Sequence, residues 1–149
     1  MSQAINNAIK SYRPSKLAMQ RTWYVVDASK APLGRVGTII ANLLTGKNRP
    51  DFAPDVDMGG VVVVINAAKS VLTGKKPEKK VYFRHTGFMG GVRYISFNDQ
   101  IKKDPSKVVY HTVSGMLPKN RHRDIRLNNR LHIMADDKHT FTQQLTPAN

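Results

Sequence analysis

The chain has 149 residues, of which 24 are Lys or Arg and only 10 are Asp or Glu, for a formal charge of +14. Self-repulsion on that scale opposes compaction, so a polyanionic partner is expected, and nucleic acid leads because each neutralised phosphate releases counterions. The absence of cysteine excludes disulfides, thiolate nucleophiles and Cys-type zinc sites, and the longest apolar run, Val61 to Ile65, is far too short to span a bilayer.

The length predicts one domain with a real core. Residues 1–20 have neither helical nor strand period and read as a basic, extended N-terminal arm. The arm carries no acid and mildly resembles an organelle presequence, but Pro14 interrupts any long amphipathic helix. The cytoplasm is therefore the expected compartment. Trp23-Tyr24-Val25-Val26-Asp27 predicts a strand, closed by the turn-like Ser29-Lys30-Ala31-Pro32. Leu33, Val36, Ile39, Ile40, Leu43 and Leu44 then fall on one helical stripe, with Gly46 as the C-terminal cap and Lys47 near the negative end of the dipole.

Asp51, Asp55 and Asp57 stand among prolines and glycines and read as a solvated loop rather than a metal site. The unbroken run Val61 to Ile65 predicts a central strand buried on both faces, reached by a β-α-β crossover. Val81-Tyr82-Phe83 and Val92 to Ile95 read as short strands around a Gly-rich loop. Ser96 with Asp99 forms a capping box for a helix that stops at Asp104-Pro105. Val108, Val109, Thr112, Val113, Met116 and Leu117 make another helical stripe, ended at Pro118, and a further helix is expected over about 124–131. A single α/β domain over 21–134 and an extended polar tail over 135–149 complete the reading.

Two constellations carry the chemistry. Thr73-Gly74-Lys75-Lys76-Pro77-Glu78-Lys79-Lys80, with Arg84 and His85 beyond, frees four lysines to meet phosphates, while the nearby Tyr82, Phe83 and Phe88 could stack on exposed bases. It is not a P-loop, because Lys69 stands where the first glycine is required and Lys76 where Ser or Thr is. The second is Pro118-Lys119-Asn120-Arg121-His122-Arg123, followed by Arg126 and Arg130. A proline-ended helix there presents Lys119, Arg121 and Arg123 to one phosphate track, and Asn120 either caps the next helix or bonds to RNA. Arg35, Lys47 and Arg49 join these as candidate contacts. The five histidines have no metal-ligand spacing, no nucleophile signature is present, and nothing requires an enzyme, a cofactor or a small-molecule substrate.

Gly115-Met116-Leu117-Pro118-Lys119-Asn120-Arg121 resembles the signature of the large-subunit ribosomal protein thirteen family (universal L-thirteen), bacterial type. Trp23 through Ala28, Leu33-Gly34-Arg35, Val62 through Ala67, Leu72 through Lys76 and His85 through Gly91 agree in order and spacing, so the resemblance covers about residues 11–145. It departs at Gly60, at Phe88-Met89, at His122-Arg123-Asp124 and in the tail over 136–144. The resemblance implies a three-layer α/β/α domain around a small, mostly parallel sheet. It also implies a structural constituent of the large ribosomal subunit that binds ribosomal RNA, touches neighbouring large-subunit proteins and acts early in assembly. A free-standing RNA-binding regulatory protein is the alternative; a nuclease would have to rest on Asp51, Asp55 and Asp57.

Overall fold

A computed structural model describes Pro14 and residues 20–141 and 145–148. The expected basic arm over 1–20 lies almost wholly outside the described residues.

Strand β1 (Trp23–Asp27) ends in a turn in which Asp27 Oδ1 accepts from the Ser29 amide at 2.9 Å and its hydroxyl at 2.7 Å. Helix α1 (Leu33–Thr45) follows, its first amide donating to Val71 O at 2.9 Å. It ends at Gly46, whose φ of 82° suits glycine and whose Cα lies so close to the Met58 carbonyl that a Cβ would clash at 2.9 Å. Gly59 is tighter still, since a Cβ there would sit 1.8 Å from Leu44 O. These two contacts press the loop before β2 (Val61–Ile65) onto the end of α1.

A four-stranded, all-parallel sheet has the order β5-β2-β1-β6, where β5 is Leu131–Ile133 and β6 is Leu145–Pro147, with β2 sharing its centre with β1. Val26, Val62 and Val64 point into one core with Leu33, Val36, Ile40 and Leu44 of α1. Val61 and Val63, on the other face of β2, are buried too, so the unbroken run does mark a strand covered on both sides. Each fully buried Val or Leu stabilises the fold by about 1.5–3 kcal/mol. The α/β class is as the sequence predicts.

Beyond the sheet, helix α2 (Lys76–Lys79) precedes an antiparallel hairpin of β3 (Val81–His85) and β4 (Val92–Ser96). Ser96 caps α3 (Phe97–Lys103), accepting from the Asp99 amide at 3.2 Å; the Asp99 carboxylate answers on the Ser96 hydroxyl at 2.7 Å rather than on its backbone amide as a full capping box would. Helix α4 (Pro105–Met116) packs Val108, Val109 and Val113 into the same core. Helix α5 runs over Arg121–Asn129, three residues earlier than the 124–131 expected, because Asn120 supplies a cap. Leu131 is not helical; it opens β5 (Leu131–Ile133), where it is buried beside Val62. Leu145–Pro147, read on sequence as part of a polar tail, form β6 and pair in parallel with β1.

Candidate nucleic-acid interface

The lysine-rich segment is not a simple loop. Pro77, in the first turn of α2, turns Lys76–Lys79 into a single helical turn. Lys75, Lys76 and Lys79 stay exposed. Lys80 is half-buried, with Nζ 5.4 Å from the Tyr82 ring centroid, and burial, reinforced by the like charge of Lys76, lowers its pKa. A groove of about 440 Å³ with Leu33, Leu72 and Met116 on its floor is rimmed by Lys76, Lys79 and Lys80. A second hollow, of about 360 Å³, shares Gly34, Leu72 and Lys76 with it and adds Arg35. The structure thus brings Arg35 together with the lysine cluster, although about 40 residues of sequence separate them.

The hairpin stands beside α4. Register pairs Tyr82 with Ile95 and Arg84 with Arg93, while Phe83 faces Tyr94 between them. Tyr82, expected to offer its ring to bases, instead turns inward and stacks on His111 with centroids 5.5 Å apart. Burial raises the Tyr82 pKa. Arg84 lines a cleft of about 340 Å³ with Lys103, Lys107 and His111. His85 is exposed, and its Nδ1 accepts from the Gly87 amide at 2.9 Å, inside the glycine-rich tip. Lys103 and Lys107 escape a sequence reading because Pro105 breaks the helix between them, so helical spacing does not bring them together; Lys107 also reaches Asp104 at 3.1 Å. Tyr94 and Arg93 are missed because only the strand register shows their partners.

Past Pro118, Asn120 takes the capping role: its side chain accepts from the Arg123 amide at 3.2 Å. Lys119 and Arg121 are exposed, and Arg123 is partly covered, 3.5 Å from Asp124. Arg126 requires a correction. Grouped on sequence with the phosphate contacts, it is turned into the protein with its side chain 7 % exposed, and its Nε donates to Asp57 Oδ1 at 3.1 Å. One helical turn later, Arg130 donates to the other oxygen of Asp57 and to Gly59 O at 3.3 Å. Asp57 is therefore a partner for two buried guanidinium groups, not part of a solvated loop. Burial alone would raise its pKa, but hydrogen bonding and charge from Arg130, with Arg126 adding to both, hold it below the usual carboxylate range.

Arg49 is likewise engaged, with Nε and Nη2 on the two Asp51 oxygens at 3.0 and 3.1 Å and Nη1 on Gln20 O at 3.3 Å. Lys47 is exposed beyond the C-terminus of α1, about 18 Å along the helix from Arg35, so these two do not share the groove. Among the described residues no three His, Asp or Glu side chains converge as a metal site, and no helix is long and apolar enough to cross a membrane.

Helix α4 links the surfaces. His111 backs the hairpin, Thr112 and Met116 line the groove, and the helix leads directly into the Pro118 loop. The chemistry on offer is point charges and Arg forks around apolar floors, suited to a phosphate-rich polymer.

A model of the family described as ribosomal protein L13 matches residues 21–140. The chain is 48 % identical over 136 residues to the large ribosomal subunit protein uL13 of Clostridioides difficile (strain 630), covering 91 % of this chain and 94 % of that protein. Identity to the protein of the same name from Lactiplantibacillus plantarum is 46 %, over 85 % of each chain. For that of Chloroflexus aggregans it is 44 %, over 91 % of this chain and 94 % of the relative.

Proposed function

Because the chain belongs to the ribosomal protein L13 family, we propose that it is a structural constituent of the large ribosomal subunit, bound to ribosomal RNA and to neighbouring proteins and added early in assembly. It is not an enzyme. As the relatives are bacterial, its place is the cytoplasm, with the ribosomes. The observation that carries the reading is the coincidence of near-complete coverage by these relatives with exposed cations on three elements joined through α4.

Sedimentation of tagged protein at physiological salt tests the ribosomal assignment. Co-migration with large-subunit particles is expected, whereas migration with small RNA–protein complexes alone would favour a free-standing regulator. Early addition predicts that precursor particles already contain the protein and that depletion halts assembly before late proteins join.

Two variants test the contacts. Lys119→Ala, Arg121→Ala and Arg123→Ala together remove about three phosphate partners but spare the Asn120 cap, whose donor is the Arg123 backbone amide. The triple variant should fold, stay out of large-subunit particles and leave immature particles to accumulate. Normal incorporation would place the anchor elsewhere. Lys75→Ala, Lys76→Ala and Lys79→Ala should weaken RNA association and flatten its log–log salt slope by roughly 2 to 3, at an unchanged melting midpoint. Wild-type affinity and slope would make that segment merely solvated surface.

A further inference from the structure

Strand alternation sorts the hairpin side chains into two unlike faces. Tyr82 and Ile95 turn toward the rest of the protein, with Arg84 and Arg93 next along the same side. Phe83 and Tyr94 point the other way, 62 % and 70 % exposed, with ring centroids 5.7 Å apart at an interplanar angle of 53°. Phe88 adds a third exposed ring at the tip. All three rings are largely open to solvent, and only Phe83 also borders the cleft beside Arg84.

The arginines are as unusual as the rings. Like charges directly opposite one another destabilise a strand pair. Yet Arg84 and Arg93 face each other across the ladder, and among the described residues neither makes an ion pair. No acid lines the nearest cleft to offset them; it adds Lys103, and Lys107, which is itself paired with Asp104. An apolar protein surface would satisfy the rings and leave this charge uncompensated. A single-stranded polynucleotide satisfies both, since its bases offer flat π-faces and its backbone offers the anions.

We propose that the β3–β4 hairpin is a grip for an unpaired RNA segment, in which bases stack on the Phe83–Tyr94 pair while phosphates are held by Arg84 and Arg93. Among the described residues neither edge of the ribbon pairs with a further strand, so a polynucleotide passing its bases over one face can carry its phosphates round an edge to the other. This assignment rests on the reading of the partner as RNA. It narrows that reading from charge contact with folded RNA to capture of a splayed loop.

The test uses the full chain and two probes, a single-stranded oligouridylate and an RNA duplex of the same length. Phe83→Ala with Tyr94→Ala changes only solvent-facing side chains, so the melting midpoint should hold. Affinity for oligouridylate should fall roughly tenfold to a hundredfold at unchanged salt slope, with duplex binding little altered. Arg84→Gln with Arg93→Gln should also weaken oligouridylate binding, but with the slope flattened by about 1.4. Wild-type oligouridylate affinity in the aromatic variant overturns the grip, as does equal loss on the two probes. A photoreactive side chain at position 83 should couple to RNA within large-subunit particles, and coupling to protein instead would assign the face to a protein neighbour. If the wild-type chain is absent from large-subunit particles while Phe83 and Tyr94 still govern oligouridylate binding, the ribosomal reading fails and the grip stands.

Discussion

Asp57→Ala should cost about 3–5 kcal/mol, a large share of a typical total of about 5–15 kcal/mol. The substitution leaves Arg126 and Arg130, each 7 % exposed at the side chain, without the carboxylate that neutralises them. Arg21, whose Nη1 donates to Gly59 O at 3.0 Å, brings a third guanidinium into the same neighbourhood and sharpens the repulsion. Asp51→Ala is the internal control, because its pair with Arg49 is more open to solvent and its loss should be far smaller. Urea unfolding of both variants decides the matter, and equal losses would remove Asp57 as a structural hub. The same site sets an acid limit. The folded Asp57 pKa is depressed, so its contribution is complete above the unfolded value of about 3.9 and is lost as pH falls through the folded value. Wild type should therefore lose stability on acidification below about pH 4 more steeply than Asp57→Asn.

Val63→Asp is expected to abolish folding. Val63 is fully buried in a strand with a partner on each side, β1 through Val25 and β5 through His132. A carboxylate placed there has no cation to meet, and the penalty of several kcal/mol takes most of the stability available. Val71→Asp makes the same chemical change at a side chain 54 % exposed and should be tolerated. Far-UV circular dichroism and melting midpoints compare the two. A cooperative melt at the wild-type temperature in Val63→Asp would contradict the buried-strand placement.

Local patterns were legible in the sequence; partners distant in the chain were not. The apolar stripe of α1, the Ser96 cap and the β-branched run of β2 follow from spacing alone, because propensity, period and caps agree there. Arg126 defeats such reading. On sequence it is one more cation after Arg121 and Arg123, and only the meeting of α5 with the loop before β2, 69 residues away, turns it inward to Asp57. Asp57 misleads for the same reason, as its Pro- and Gly-rich surroundings speak for solvent. In the candidate interface, the exposed lysines and the Pro118 loop could be named in advance. Tyr94 and Arg93 could not, since their significance comes from the residues opposite them across the hairpin, and Tyr82 exchanged roles with Tyr94 for want of the strand phase.

The order β5-β2-β1-β6 also has a meaning in time. Trp23 finds its β2 partner, Val61, within 38 residues, but its partner on the other side, Leu145, is separated from it by 122. At ~5–20 residues per second, a ribosome making this chain takes roughly 6 to 24 s to travel from one to the other. Throughout that interval β1 has a bare edge able to recruit any passing strand. The final addition closes the gap with a strand that contains Pro147, a residue with no amide hydrogen to offer to a further neighbour. Growing chains are thus open to wrong association until β6 has been made, and cells producing this protein in excess of its RNA should meet that hazard in nascent chains sooner than in finished ones.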